Sequence, residues 1–386
     1  MSPEGLPEDS NAFGGQPFMN ALELAARLTP SASNIERVSK LTSPEAARSA
    51  FLQWELRRRA QEKFADAERM FFSREALEQS SGEIAANYHA SLFSSGARVT
   101  DLTVGIGGDL IALARRGPAQ GFELDPERAE LARANLKALG LEASIENVDG
   151  VTWMERQTGE QILCDPARRI EGRRVATPEQ YQPDPSKIAK LGERQRLCVL
   201  KLSPLLNDSY LASLASKLEF VSIEGECKEV LAFCGTDVNP GRVAIHVLSR
   251  QKLPESQTPP SVESAAEFLH ECDPAAIRAH AYGHLCNEFH LSPLGDSNGY
   301  LTGATAAASP WIKNYRVLHE GPGDQKSTKR KLVELGSATP VLKQRLTNLD
   351  LERLRSGLKL DGKRPLAVIC YPVGRSVRHV IAEPCP

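Results

Sequence analysis

The segment Asp101-Leu-Thr-Val-Gly105-Ile-Gly107-Gly108-Asp109 reads as an apolar strand running into a glycine turn and then into a helix. Glycine permits positive φ at such a turn and lets a ligand come close to the backbone. Any tight strand-to-helix connection also wants glycine, so alone the turn leaves a structural and a ligand-binding role open. A dinucleotide fingerprint needs a further glycine at position 110, which is Leu110 here. That disfavours nicotinamide and flavin binding.

From Ala97 onward, short β-rich runs alternate with helical ones: ARVTDLTV, DLIALARR, AQGFEL, PERAELARANLKAL, EASIENV, EQILCDP and RLCVLKLSP, then a helix around 209–217. This alternation predicts an α/β fold, a Rossmann-like doubly wound parallel sheet. Carboxylates recur where its strands should end. Glu123 follows Asp101 by 22 residues, in Gly121-Phe-Glu-Leu-Asp125-Pro126. A carboxylate there accepts two hydrogen bonds and suits both hydroxyls of a ribose. Asp125 is better explained as the N-cap of the next helix, with Pro126 at its first position. Asp149, after the third strand, suits an adenine amino group or a solvated turn. Ile162-Leu-Cys-Asp165-Pro166-Ala167-Arg168-Arg169 brings a carboxylate and a proline to the edge where open α/β sheets bind ligands. Asp165 and the Pro166 carbonyl together can hold a planar amine, although Asp-Pro is also a common turn device.

Further strands are expected in 220–234 and 243–249, the last two as a hairpin around Asn239-Pro240-Gly241. Residues 1–18 read as a flexible tail and 19–95 as a helical region, with helices at 21–28, 43–71 and 80–93. Ser43 and Pro44 give the second helix an N-cap and first residue, and Ser80 and Glu83 have capping-box spacing. The catalytic sheet domain is placed at 96–250 and a Pro/Ser-rich linker at 251–262 (QKLPESQTPPSV). A mixed α/β module follows at 263–386, with a helix at 274–288. Over the chain 47 basic residues balance 49 acidic ones, which looks like evidence against a nucleic-acid partner. Residues 310–386, however, hold 15 Lys/Arg and 7 Asp/Glu, a net +8, which leaves −10 for the rest. The small total conceals a basic C-terminal module.

Asp-x-x-x-Gly-x-Gly, the acids after strands two and three, and Asp-Pro-x-Arg after strand four resemble class I S-adenosylmethionine-dependent methyltransferases. The likeness is greatest to RNA amine methyltransferases and trimethylguanosine synthase. Glu78-Gln-Ser-Ser-Gly-Glu83, DLTVGIGGD, Asp165-Pro-Ala-Arg-Arg169, Lys201-Leu-Ser-Pro204, Glu226-Cys-Lys-Glu229 and Gly299-Tyr-Leu-Thr-Gly303 resemble bacterial methyltransferase-like proteins with a C-terminal THUMP-like domain. That resemblance spans roughly 70–386 and implies the fold, S-adenosylmethionine as cofactor and an rRNA or tRNA substrate. It implies cofactor contacts at Asp101, Thr103, Gly105, Gly107, Glu123 and Asp149, and catalytic contacts at Asp165, Pro166 and Arg168. Amine methyltransferases often carry a second proline and an aromatic after the acid. Here Ala167 and Arg168 stand there, and a guanidinium replaces the aromatic as a surface for a flipped base or a phosphate.

Arg168, Arg169, Arg173 and Arg174 suit RNA at the rim of the site, or form a solvated loop. Trp311, Tyr315 and the basic run 326–331 read as an RNA platform, or the two aromatics as core. His280 and His284 have helical i, i+4 spacing, but no third ligand is evident, so no metal is expected. The eight cysteines lack zinc-site spacing and read as reduced thiols, mostly core. No apolar run is long enough for a membrane span and no signal peptide is visible, so the cytoplasm is expected. A non-catalytic RNA-binding protein on the same scaffold, or a methyltransferase for protein or a small molecule, are the rival readings.

Overall fold

The computed structural model describes residues 15–170, 173–174, 177–358 and 360–385. Helices α1 (Gln16–Ala25), α2 (Ala32–Leu41), α3 (Pro44–Ala60), α4 (Arg74–Gln79) and α5 (Glu83–Ser91) come first. Strands and helices then alternate through β1 (Val99–Asp101), α6 (Gly108–Ala114), β2 (Ala119–Phe122), α7 (Pro126–Leu139), β3 (Ser144–Glu146), α8 (Gly150–Met154) and β4 (Gln161–Cys164). The two-residue strands β5 (Arg169–Ile170) and β6 (Arg173–Arg174) follow, then α9 (Pro185–Gly192), β7 (Leu197–Leu202), α10 (Asp208–Leu214), β8 (Lys217–Ile223) and β9 (Glu226–Cys234). The chain divides into two compact units. Unit 1 is Met1–Lys201 with Ala212–Ala215 and Phe233–Val238, and unit 2 holds the remainder.

Unit 1 carries the strand order β7-β4-β1-β2-β3, all paired in parallel. Reversal of the order on either side of β1 is the doubly wound arrangement the alternation predicted, and it opens a crevice at the C-terminal ends of the strands. Asp125 caps α7 by accepting from the backbone N–H groups of Glu127 and Arg128, as expected, and Gly140 ends that helix at φ 69°.

The N-terminal helices are not separate from the sheet. Phe18, Phe51, Phe64, Phe71 and Phe72 share one core with Ile106, Leu110, Leu131 and Leu136 of the sheet layer. Each such side chain contributes on the order of 1.5–3 kcal/mol by burial. Buried polar groups fix the register of this packing. The Asn135 side chain accepts from Phe71 N–H (2.6 Å) and donates to the carbonyls of Phe71 (3.1 Å) and Ile106 (3.0 Å). It thus ties the helical region to the glycine turn.

Several expectations are corrected here. Helix α3 keeps its Ser43 cap but stops at Ala60, whose carbonyl takes the N–H groups of both Lys63 and Phe64. The chain then turns repeatedly so that Phe64, Met70 and Phe71 reach the core. Ser80 and Glu83 form no capping box: Gly82 is the N-cap of α5, and Glu83 instead accepts from Ala65 N–H and pairs with Arg115, each at 2.8 Å. The first 14 residues lie outside the described part of the chain, and the expected tail gives way to helix by Gln16.

In unit 2, β8 and β9 are neighbours joined by Glu224 and Gly225, both at positive φ, so 220–234 is two strands around a tight turn. Strands β10 (Gly241–His246) and β11 (Gln251–Pro254) extend this part in the order β11-β10-β8-β9. The hairpin expected at Asn239–Gly241 does not form, because β10 pairs in parallel with β8 and antiparallel with β11. The expected linker therefore begins as a strand. Beyond it come β12 (Phe268–Cys272), α11 (Pro274–Arg278), α12 (Gly283–Phe289), β13 (Ser292–Pro293), β14 (Tyr300–Gly303), β15 (Ile312–Pro322), α13 (Gln325–Glu334), β16 (Val341–Gln344), α14 (Leu351–Gly357), β17 (Ala367–Val373) and β18 (Ser376–Pro384). The strands make a seven-stranded sheet, β13-β14-β12-β15-β18-β17-β16.

The single helix expected at 274–288 is broken. His280 sits at φ 54° between α11 and α12, so it and His284 do not share a helix face. Ser256 enters the break, donating from N–H to His280 carbonyl (2.9 Å) and from its hydroxyl to Ala281 carbonyl (3.0 Å). Trp311 and Tyr315 are buried, 1% and 6% exposed. They belong to the core, which removes the aromatic half of the expected platform. Six of the eight cysteines are buried, and all are free thiols.

Candidate functional site

The predicted residues of unit 1 gather along the C-terminal edge of its parallel strands. Asp101 ends β1, Glu123 follows β2, Asp149 follows β3 and Asp165 follows β4. The glycine turn continues from β1, with Val104 N–H on the Phe122 carbonyl and Leu102 N–H on the Leu163 carbonyl. Gly105 lies at φ 57° and Gly107 at φ 93°, and no atom stands within 4 Å of where a Cβ on Gly105 would be. The turn can sit this close to β2 because Gly121 has no side chain; a Cβ there would lie 2.2 Å from Val104 Cγ2.

Glu123 closes the turn. One carboxylate oxygen accepts from Gly105 N–H (2.7 Å), the other from Asp125 N–H (2.9 Å). Burial pushes its pKa above the usual value, against those two hydrogen bonds. Asp149 is exposed and caps α8 through Val151 N–H at 2.9 Å. Behind it, Trp153 packs on Phe122 with ring centroids 5.1 Å apart.

Thr103 joins the two halves of the crevice. Its backbone N–H donates to Asp101 Oδ1 (3.0 Å), and its hydroxyl oxygen accepts from Asp165 N–H (2.7 Å). Thr103, an expected cofactor contact, thus also braces β1 against β4. Asp101 is buried, and burial together with the neighbouring Asp109 carboxylate pushes its pKa up to about 8. Pro166 is buried and Arg168 exposed. The side chains of Arg169, Arg173 and Arg174 lie outside the described structure; their backbones form the β5–β6 pair.

Beneath Asp101 and Asp165 lies a charged network whose members were not predicted as site residues. Lys201, in β7 and only 4% exposed at its side chain, places its Nζ 2.8 Å from Asp109 Oδ2 and 2.8 Å from Asp165 Oδ2, and also donates to the Ser81 hydroxyl. Asp109 further meets His89 Nδ1 at 2.6 Å and accepts from Ser81 Oγ at 3.0 Å. Burial alone would raise the Asp109 pKa, but the Lys201 ammonium and His89 outweigh it and hold it well below the carboxylate range. A signal was present in the sequence: Lys201 is the one charge in the strand Leu197-Cys-Val-Leu-Lys-Leu202. Buried lysines seldom occur unpaired. A cavity of about 920 Å³ bordered by Arg98, Ala119, Arg133, Lys137 and Ser144 opens where β2 and β3 begin, at the opposite edge. It contains none of the predicted residues.

Carboxylates at four successive strand ends beside a glycine turn thus border the edge at which open doubly wound sheets bind ligands. No family model matches the chain. An uncharacterized S-adenosylmethionine-dependent methyltransferase of Mycobacterium tuberculosis, found in strains CDC 1551 and H37Rv, is 29% identical over 343 residues, covering 86% of this chain and 94% of the relative. The crystal structure of a candidate methyltransferase from Porphyromonas gingivalis W83 superposes with a TM-score of 0.78 at 22% identity, over 96% of this chain and 98% of that one. The fold is therefore shared along nearly the whole length. Among the described residues no helix is long and apolar enough to cross a membrane.

Proposed function

We propose that this chain is an S-adenosylmethionine-dependent methyltransferase that modifies an exocyclic amine of a base, guanine N2 among them, in structured RNA. The observation that carries the reading is Asp165 at the end of β4, its backbone N–H held by the Thr103 hydroxyl, whose own N–H is held by Asp101 at the start of the glycine turn. Donor chemistry supports the cofactor. Space opens beside Gly105, whose N–H is held by Glu123. Asp101 and the backbone of Gly105 and Gly107 hold the amino-acid end, Glu123 the ribose and Asp149 the adenine. When bound, S-adenosylmethionine supplies a methyl group on an electrophilic sulfonium.

The protein's contribution is then alignment and removal of developing positive charge. Asp165 Oδ1 and the Pro166 carbonyl accept the hydrogens of the acceptor amine and point its lone pair at the methyl group. With the cofactor bound, the carboxylate would offset the positive charge gained by the amine and accept the proton it loses, the electrons of the broken methyl–sulfur bond remaining on sulfur. Arg168, exposed beside them, stacks on the base or meets a phosphate. RNA as substrate is supported by the basic residues on α13, of which Lys326 and Arg330 are exposed. Transfer of labelled methyl to total cellular RNA, followed by nucleoside analysis, tests this. Incorporation into an N-methylated base, abolished by Asp165→Ala with cofactor binding retained, is expected. Cofactor binding without incorporation into RNA assigns a different acceptor.

A further inference from the structure

We propose that Lys201 is the positioning residue of this site: its ammonium holds Oδ2 of Asp165 and leaves Oδ1 as the oxygen offered to the acceptor. The proposal rests on the reading of Asp165 as the acceptor-binding group and adds to it what sets that group's orientation and charge environment.

Three observations lead there. First, an ammonium in an apolar strand is costly to bury unless paired, and Lys201 is served by Asp109 and Ser81 without any need of Asp165. Second, the Asp165 side chain is 38% exposed, so its pairing with Lys201 adds little to folding. The consequence of that contact falls on Asp165 itself. Third, Asp165 stands close to two other acidic side chains, of which Asp109 is ionised: Asp101 and Asp109 interact with each other, and Asp165 acts on Asp101 in the same sense. Lys201 is the cation between Asp109 and Asp165, so without it Asp165 is pushed toward solvent.

The anchors of Lys201 come from the N-terminal region. Ser81 precedes α5, and His89 within α5 holds the far oxygen of Asp109. Position passes from α5 through Asp109 to Lys201 and so to Asp165. Lys201 touches neither acceptor nor methyl group and acts through Asp165.

The test uses the full chain and the variants K201M, K201R, D165N and D165N/K201M. S-adenosylhomocysteine binding is measured by calorimetry, methyl transfer to total RNA is followed for kcat and KM, and crystal structures of wild type and K201M are compared. In K201M, kcat at saturating cofactor is expected to fall about 30-fold or more, well beyond any weakening of S-adenosylhomocysteine binding caused by the loss of the Lys201 charge near Asp101, with KM for RNA changed by less than about threefold. K201R, which keeps the charge, is expected to recover part of the loss. The double variant should be no slower than D165N, because a residue acting through Asp165 has nothing to add once the carboxylate is gone. In the K201M structure the Asp165 carboxylate should have turned from its wild-type orientation.

An unchanged Asp165 orientation, losses that multiply in the double variant, or a K201M kcat near wild type would overturn the proposal. So would a loss of S-adenosylhomocysteine binding in both K201M and K201R that matches the loss of rate, since that marks a structural role. If D165N itself keeps full activity, the reading of Asp165 fails. If D165N is inactive while K201M is not, only the role of Lys201 fails.

Discussion

Raising the pH from 6.0 to 7.5 is expected to tighten binding of S-adenosylhomocysteine about 20-fold, through a single buried carboxylate. Asp101 is held up to about 8 by its burial and by the Asp109 charge, against the Thr103 N–H and the Lys201 ammonium. A ligand ammonium needs it ionised. With that pKa, about 1% of the free protein has Asp101 charged at pH 6.0 and about 24% at pH 7.5, and apparent affinity scales with the competent fraction. The ratio corresponds to about 2 kcal/mol. The window ends below the range, about 7.7–8.0, where an α-amino group ordinarily loses its own proton. Asp109 does not interfere, because it stays ionised throughout. Calorimetry in two buffers of different ionisation enthalpy should show close to one proton released per ligand bound at pH 6.5. Asp101→Asn should bind more weakly at pH 7.5 and with little pH dependence. A wild-type affinity that is flat across this window, or the same slope in Asp101→Asn, would refute the assignment of Asp101 to the charged end of the cofactor.

The same carboxylate affects stability. Because its folded pKa is raised, its contribution is fully present below the unfolded value near 4 and is lost as pH rises through about 8. Urea unfolding of wild type should lose up to about 1.4 kcal/mol per pH unit relative to Asp101→Asn between pH 5 and 8. Asp109 has the opposite sign: its stabilisation is present above the unfolded carboxylate pKa and fails in acid, so Asp109→Asn should be less acid-sensitive than wild type. At Gly121 an added Cβ meets Val104 Cγ2 at 2.2 Å. Gly121→Ala should cost about 1–3 kcal/mol, lower the melting temperature by about 3–10 °C and weaken S-adenosylhomocysteine binding, since the displaced residue adjoins Gly105. Replacing Lys326, Lys329 and Arg330 with Glu should reduce the slope of log affinity against log salt for RNA by about 2. An unchanged slope would remove α13 from the RNA-facing surface.

The parallel sheet was legible because short β-rich runs alternate with helical ones, and four of its five strands end in or run on to an acidic residue, Asp101, Glu123, Asp149 or Asp165. The cap at Asp125 and the start of α3 at Ser43-Pro44 were legible as well, since each rests on side chains within three residues of the helix they serve. What escaped depends on partners far along the chain. That Thr103 also holds Asp165 is decided 62 residues away. The helix expected at 274–288 has a helical pattern throughout, and it breaks because Ser256 supplies hydrogen bonds at 280–284. Trp311 and Tyr315 could be exposed or buried on spacing alone; strand pairing at Ile312–Pro322 puts Tyr315 in the core, and Trp311, just before that strand, is buried against the His246 ring.

The N-terminal helices belong to the site's construction rather than to a lid over it. In the proposed reading the Asp165 carboxylate has to be aimed, and it lies close to the ionised Asp109. Two acidic side chains can share one buried strand edge when a cation is fixed between them. Lys201 is that cation, and its desolvation is tolerable only because Asp109 and Ser81 complete its hydrogen bonds while His89 takes the other oxygen of Asp109. Two of these four residues, Ser81 and His89, come from the segment before the sheet. The same segment is locked to the glycine turn by Asn135 and to α6 by the Glu83–Arg115 pair at 2.8 Å. A sheet starting at Val99 would therefore keep every predicted binding residue and lose the arrangement that makes Asp165 useful. A truncated chain lacking α1 to α5 should fail in methyl transfer even if its sheet were to fold.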